Sequence, residues 1–268
     1  MILRLIKLAI SIFFFIFNKI ISNLLFILTR NKLSAFVVIT YHSVTPKQIS
    51  KFAEQMNMLL KIGKPVSLKK PIYGYNKTHY LAVTFDDGYQ SVIQNALPVL
   101  KEKEIPATIF IPTVAFGTGP PWIKDINHPF FNEIILTKEQ LKALPGDLIT
   151  IGSHTDSHCR LSNIDAGTFK REIVDSKKKL EFVSGRNISL ISVPYGQFDK
   201  KYTKLFKEAG YQKVFLNIPT FPATNNDLFI MGRISVEPDD WTLEFHLKLQ
   251  GAYQWLPFAI SIKKKLFS

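Results

Sequence analysis

The run Leu81-Ala82-Val83-Thr84-Phe85-Asp86-Asp87-Gly88-Tyr89 decides how this chain is read. Its first five residues carry no charge and suit a strand of a buried parallel sheet. Two aspartates end it. Successive strand side chains point to opposite faces, so for both carboxylates to reach one cavity the backbone must turn sharply, and Gly88 supplies the freedom for that turn. Carboxylates at the end of an apolar strand are costly to desolvate unless a metal or a reaction uses them.

Outward from that strand, from about residue 35 to 236, short β-branched runs alternate with amphipathic stretches. Strands are expected at 36–41, 80–85, 107–111, 148–152, 190–193, 213–216 and 229–236, with helices at 50–62, 90–103, 137–144, 165–183, 199–209 and 241–249. Gly210 stops the fifth helix. The order predicts an α/β fold, one barrel of roughly seven βα repeats, and 268 residues with no linker-like stretch fit one large domain. In such a barrel chemistry collects at the C-terminal strand ends. There, Ile149-Thr150-Ile151-Gly152 runs into Ser153-His154-Thr155-Asp156-Ser157-His158. Two imidazoles four residues apart share one face of a helical turn, which is a metal-ligand spacing. The chain has one cysteine, Cys159, so a metal must rely on His and carboxylate, and the thiol itself reads as an ordinary buried one rather than a fourth ligand. Two neutral imidazoles plus one carboxylate, with positions open for water and substrate, make a hydrolytic site for zinc or a related divalent cation.

These residues, together with Pro194-Tyr195-Gly196, resemble the polysaccharide deacetylase family, the NodB-homology or carbohydrate esterase four family, in motif order and in placement at strand ends. The resemblance spans about residues 35–249. It implies a distorted (β/α)7 barrel of the NodB-homology type that removes acetyl groups from N-acetyl sugars. Carried over position by position, it implies Asp86 as general base, Asp87, His154 and His158 as metal ligands, and the Tyr195 backbone N–H as an oxyanion donor. Two departures stand out. The arginine expected before the third motif is replaced by Ser192-Val193, leaving Arg233 or the acidic pair Asp239-Asp240 as substitutes. The late segment with an acid histidine is not evident either. His42 in Tyr41-His42-Ser43 and His246 in Phe245-His246-Leu247 are the candidates, and His42 is preferred because it stands at a strand end. His79 and His128 read as loop residues, Phe85, Phe110 and Phe215 as core. Tyr89, Trp122, Tyr195 and Trp241 are candidate sugar platforms.

The formal charge is +13, but its distribution argues against nucleic acid. Arg4, Lys7, Lys19, Arg30, Lys32, Lys47 and Lys51 precede the first acid, Glu54. Lys248, Lys263, Lys264 and Lys265 follow the last, Glu244. The middle is nearly neutral, with 23 bases against 21 acids. The bias therefore points to anionic lipid at both ends. Residues 2–28 are almost wholly apolar, and Arg4, Lys7, Ser11, Asn18, Ser22 and Thr29 fall on one narrow helical stripe. Lys19 interrupts a spanning register, so an interfacial anchor is preferred over a spanning helix and over a cleaved leader. The expected organisation is an anchoring hydrophobic helix at 1–33, a catalytic domain at 34–250 and an amphipathic basic tail at 251–268.

The sequence thus predicts a membrane-associated, zinc-dependent hydrolase acting on an N-acetylated glycan or a lipid-linked oligosaccharide precursor. Rival readings are a silent glycan-binding module and a deacylase of a small non-sugar amide. A phosphoryl-transfer enzyme fits less well, since no Gly-rich phosphate loop is present.

Overall fold

The computed structural model describes residues 1–29, 36–69, 78–219, 229–259 and 262. The expected boundary near residue 33 and the lysines at 263–265 lie outside them. The strands are β1 (Phe36–Tyr41), β2 (Lys64–Pro65), β3 (Tyr80–Phe85), β4 (Ala107–Ile111), β5 (Ile149–Ser153), β6 (Leu190–Ser192), β7 (Lys213–Leu216), β8 (Ile230–Gly232) and β9 (Ile234–Ser235). They form one nine-stranded sheet in the order β8-β7-β6-β5-β4-β3-β1-β9, with β2 beside β3 and every ladder parallel.

The two ends of that sheet are consecutive in sequence. β8 pairs with β7 and β9 pairs with β1, and only Arg233 separates them. The single strand expected over 229–236 is thus split, because one straight strand cannot satisfy both edges of the gap; the break at Arg233 lets each half take one edge. Counted as one run, β8 and β9 make the seventh principal strand of a nearly closed barrel. The helices are α1 (Ile2–Thr29), α2 (Ile49–Ile62), α3 (Leu97–Glu102), α4 (Lys138–Lys142), α5 (Ala166–Ser184), α6 (Thr203–Glu208) and α7 (Thr242–Leu249). The helix expected over 90–103 starts at Gln90 but contains a wide π turn at Val92–Ala96, beside Pro98, which has no N–H for a regular helical bond. A 3-10 turn at Lys200–Tyr202 likewise precedes α6. Gly210, at φ +82, stands just beyond α6 as expected.

Strand periodicity sorts the core. Val37, Ile39, Leu81 and Val83 face the helices, whereas Val38, Ala82, Phe110, Leu190, Phe215 and Met231 fill the barrel. Gly152 is part of that filling, since a Cβ there would lie 2.4 Å from the Phe110 ring. Ala82 and Thr84 point inward, and the same period directs Asp86 to the barrel's C-terminal mouth.

α1 docks against α7 and the segment after it, through Leu8, Ile12 and Phe15 on Leu247, Ala252, Tyr253 and Leu256. Arg4 and Ser11 of the polar stripe share this docked side with those apolar residues, whereas Lys7 is exposed. Ser11 is fully buried and accepts from Trp255 Nε1 at 2.9 Å, and Arg4 donates to Glu244 at 2.7 Å while stacking on Trp241. Glu244 and Asp240 also pair with Lys248 at 3.2 and 2.7 Å. The apolar flank faces outward, with Phe13 72% exposed and Ile2, Leu3, Ile16, Phe17, Ile20 and Leu24 exposed beside it. This inverts the usual arrangement of a helix on a water-soluble domain.

Candidate active site

Asp86 sits at the inner end of β3, and its partner comes from the barrel closure. Arg233, fully buried, crosses the interior above the Phe110 ring and grips both Asp86 oxygens, Nη1 to Oδ1 at 2.7 Å and Nη2 to Oδ2 at 2.6 Å. The same guanidinium donates to Thr84 Oγ1 at 3.2 Å, to Ser192 Oγ at 2.7 Å and to Asn217 Oδ1. Gly196 permits this last contact, since a Cβ there would lie 2.8 Å from the Asn217 nitrogen. Of the two substitutes for the absent motif arginine, Arg233 makes the contact. Asp239 pairs with Lys51, and Asp240 with Lys248, on the α2–α7 side. Burial opposes the charge on Asp86, but Arg233, with help from His154 and His42, outweighs it and holds the carboxyl well below the usual range.

Asp87 turns away from the strand in a left-handed conformation, φ +66, followed by Gly88 at φ +62, where a Cβ would lie 2.9 Å from Ile111. Its Oδ1 lies 3.4 Å from His154 Nε2 and 3.2 Å from His158 Nε2. The two histidines do not ride on a helical turn. They stand on an irregular loop in which Thr155 (φ +65) and His158 (φ +60) are left-handed, and that pair of reversals, rather than the 3.6 period, brings both rings to one carboxylate. Such conformations cost about 1–3 kcal/mol each and persist only where surroundings enforce them. Here the Glu172 side chain of α5 receives the N–H groups of Asp156 and Ser157, and the Asp156 carbonyl receives those of Thr113 and Val114.

His154 Nδ1 bonds the Ser192 carbonyl at 2.8 Å. A carbonyl only accepts, so Nδ1 carries the proton and Nε2 directs its lone pair at Asp87. Burial dominates the titration of His154 and lowers it to about 4. Asp87 is lowered too: burial opposes its charge, and His158, His42 and His154 together outweigh burial. A lone pair facing a carboxylate oxygen is repulsive, and Asp87 Oδ1 is buried with no hydrogen-bond partner among the described residues. A cation resolves both problems. The ligand atoms of Asp87, His154 and His158 all lie within 4.8 Å of one another, and the set, two imidazoles and one carboxylate, suits zinc-type chemistry. The residues therefore fit a divalent ion.

A profile of the polysaccharide deacetylase family matches residues 73–214, more than half of the chain. The chain belongs to the polysaccharide deacetylase family. Among its relatives, YxkH of Bacillus subtilis (strain 168), named for the same family, is 29% identical over 198 residues, covering 74% of this chain and 60% of its own length. The poly-beta-1,6-N-acetyl-D-glucosamine N-deacetylase of Staphylococcus aureus (strain MRSA252) is 27% identical over 205 residues, covering 71% of this chain and 67% of its own. The barrel also matches solved structures. IcaB from Ammonifex degensii has a TM-score of 0.62 at 23% identity over 82% of this chain and 97% of that one. For the Streptococcus pyogenes deacetylase PplD in complex with acetate the values are 0.61, 18%, 76% and 93%. These two likenesses establish the fold.

The remaining residues singled out in the sequence of this deacetylase-family chain are scattered more widely. His42 is half-buried, stacked on Phe130 with ring centres 5.5 Å apart, near enough for its charge to act on both aspartates. His246 is elsewhere: its ring meets Phe15 edge-on in the α1–α7 contact. Tyr195, 41% exposed and at φ +59, packs its ring between Arg160 and the edge of His158. Trp122 stacks on His158, Tyr89 is buried, and Trp241 is covered by Arg4. His79 bonds the Leu249 carbonyl, and His128 caps a turn at Phe130. Ser192 and Asn217 were not foreseen. Ser192 occupies the place of the displaced arginine, which was the one signal available for it; Asn217 had none.

Proposed function

We propose that this chain is a zinc-dependent deacetylase that removes N-acetyl groups from an amino sugar of a surface polysaccharide, working at a membrane surface. The observation that carries the reading is the adjacency of two differently held carboxylates. Asp86 is saturated by Arg233 and kept anionic, while Asp87 faces the Nε2 atoms of two imidazoles. A divalent ion held by Asp87, His154 and His158 supplies Lewis-acid polarisation of the amide carbonyl and lowers the pKa of water.

Asp86 takes the proton of the attacking water. Arg233 fixes the direction of its carboxylate through both oxygens. The Tyr195 backbone N–H, on the tight Pro194–Gly196 turn, donates to the developing oxyanion. His42 then protonates the departing amine. His42 is favoured over His246 because its charge reaches the aspartates, whereas His246 is committed to α1. Arg233 on Asp86 also weakens the silent-module reading, which leaned on a missing arginine.

Substrate class follows the Staphylococcus aureus relative named for poly-beta-1,6-N-acetyl-D-glucosamine. A lipid-linked precursor is the second reading, favoured by α1. Residues 2–24 are long and apolar enough to cross a membrane. The docking of one side on the domain, through Arg4 and Ser11 beside Leu8, Ile12 and Phe15, favours instead a helix lying in the interface with its exposed apolar flank in lipid. Incubating zinc-loaded protein with a panel of N-acetylhexosamine glycans and assaying free acetate tests the activity, and absence of acetate from every glycan rejects it.

A further inference from the structure

The two candidate ligand imidazoles are oriented by different means. His154 is fixed by its Nδ1 bond to Ser192, the ordinary device for a metal-binding histidine. His158 Nδ1 is buried and has no hydrogen-bond partner among the described residues. Its ring instead lies face to face with Trp122, centroids 4.1 Å apart and planes 21° from parallel, with the Tyr195 ring edge-on at 5.2 Å.

Trp122 belongs to the long segment between β4 and α4, and that segment is tied down at several points. Its base is bonded to the Asp156 carbonyl between the two histidines, and Gly117 and Ile135 clasp its neck through backbone bonds. Its far side reaches Ser43 through Glu133 and stacks Phe130 on His42. One connection therefore supplies an aromatic face to two of the imidazoles flanking the aspartates, His42 and His158.

We propose that Trp122 is a positioning residue that fixes the plane of the His158 ring by stacking, in place of the hydrogen bond that His154 receives. A planar contact restricts ring tilt while leaving Nε2 free toward Asp87. This inference rests on the reading of Asp87, His154 and His158 as a cation site. Loss of a group that orients a ligand weakens metal binding by about 10–100-fold. Trp122→Ala is expected near the middle of that range, and Trp122→Phe, which keeps a stacking face, within about threefold of wild type.

The test is zinc titration of the full chain against a chromophoric chelator, on variants whose circular dichroism matches wild type. A second readout is quenching of tryptophan emission by cobalt(II). Wild type should be quenched through Trp122, and Trp122→Phe, which retains Trp241 and Trp255, should lose most of that quenching while still binding metal. Equal zinc affinity in wild type and Trp122→Ala overturns the proposal, as does an equal loss in the Ala and Phe variants. A wild-type chain that binds no zinc overturns the cation site beneath it, which separates the two failures.

Discussion

Replacing Arg233 with Met perturbs the site where the structure is most specific. Arg233 and Asp86 are both fully buried, and the bidentate pair is supplemented by Thr84 and Ser192. Removing one partner of such a pair leaves an uncompensated buried charge and costs about 3–5 kcal/mol. At about 2–4 °C per kcal/mol, that is a fall of roughly 6–20 °C in the melting temperature near pH 7. The pH dependence carries the sharper signal. In wild type Asp86 is held below its unfolded value, so the pair's contribution is fully present above about pH 4 and lost only as pH falls through the lower folded value. Without Arg233 burial dominates, the folded value rises above the unfolded one, and the penalty is largest at neutral pH and shrinks on acidification. Differential scanning calorimetry of zinc-free protein at pH 7 and pH 5 checks this. The double variant Asp86→Asn with Arg233→Met should recover most of the loss. An Arg233→Met protein within about 1 kcal/mol of wild type at both pH values would refute the reasoning.

Four further outcomes are expected. Asp86→Asn should retain zinc and lose about 10²–10⁴-fold in turnover, whereas Asp87→Ala should lose zinc, both measured by acetate release and equilibrium dialysis. His42→Ala should lower turnover by a similar factor, with His246→Ala within about twofold of wild type in the same assay. His154, buried neutral with its value lowered to about 4, binds fewer protons folded than unfolded between pH 4 and about 6.5. Zinc-free protein should therefore lose stability as pH falls through that window, and His154→Gln should flatten the slope. Arg4→Ala should free α1 from Glu244 and speed its proteolysis, while the full chain still floats with anionic vesicles; unchanged cleavage would count against the docked helix.

What the sequence revealed was set by local rules. The short apolar, β-branched runs located β1, β3, β4 and β7 to the residue, because each is a strand of a parallel sheet buried on both faces. The division at Arg233 was hidden, since it answers to barrel closure, a relation between β7 and β1 that no local window contains. The same closure is why Arg233 was one of two substitutes rather than the choice. His154 and His158 were found from their spacing, but the supposed helical turn was wrong; the left-handed residues that replace it are strapped by Glu172 from α5. On α1 the helical period places Arg4 and Ser11 on one side, and both dock while Lys7 stays exposed. Their partners, Glu244 and Trp255, lie over 200 positions away, beyond any local window.

The central claim is that one cation is held jointly by Asp87, His154 and His158 while Asp86 remains outside its ligand set. X-ray absorption at the zinc edge, on protein loaded with one equivalent, tests it most directly. Two imidazole donors and oxygen donors are expected, in a spectrum that Asp86→Asn leaves unchanged and His158→Ala reduces to one imidazole. A ligand shell without the two imidazoles, or one altered by Asp86→Asn, would contradict the account.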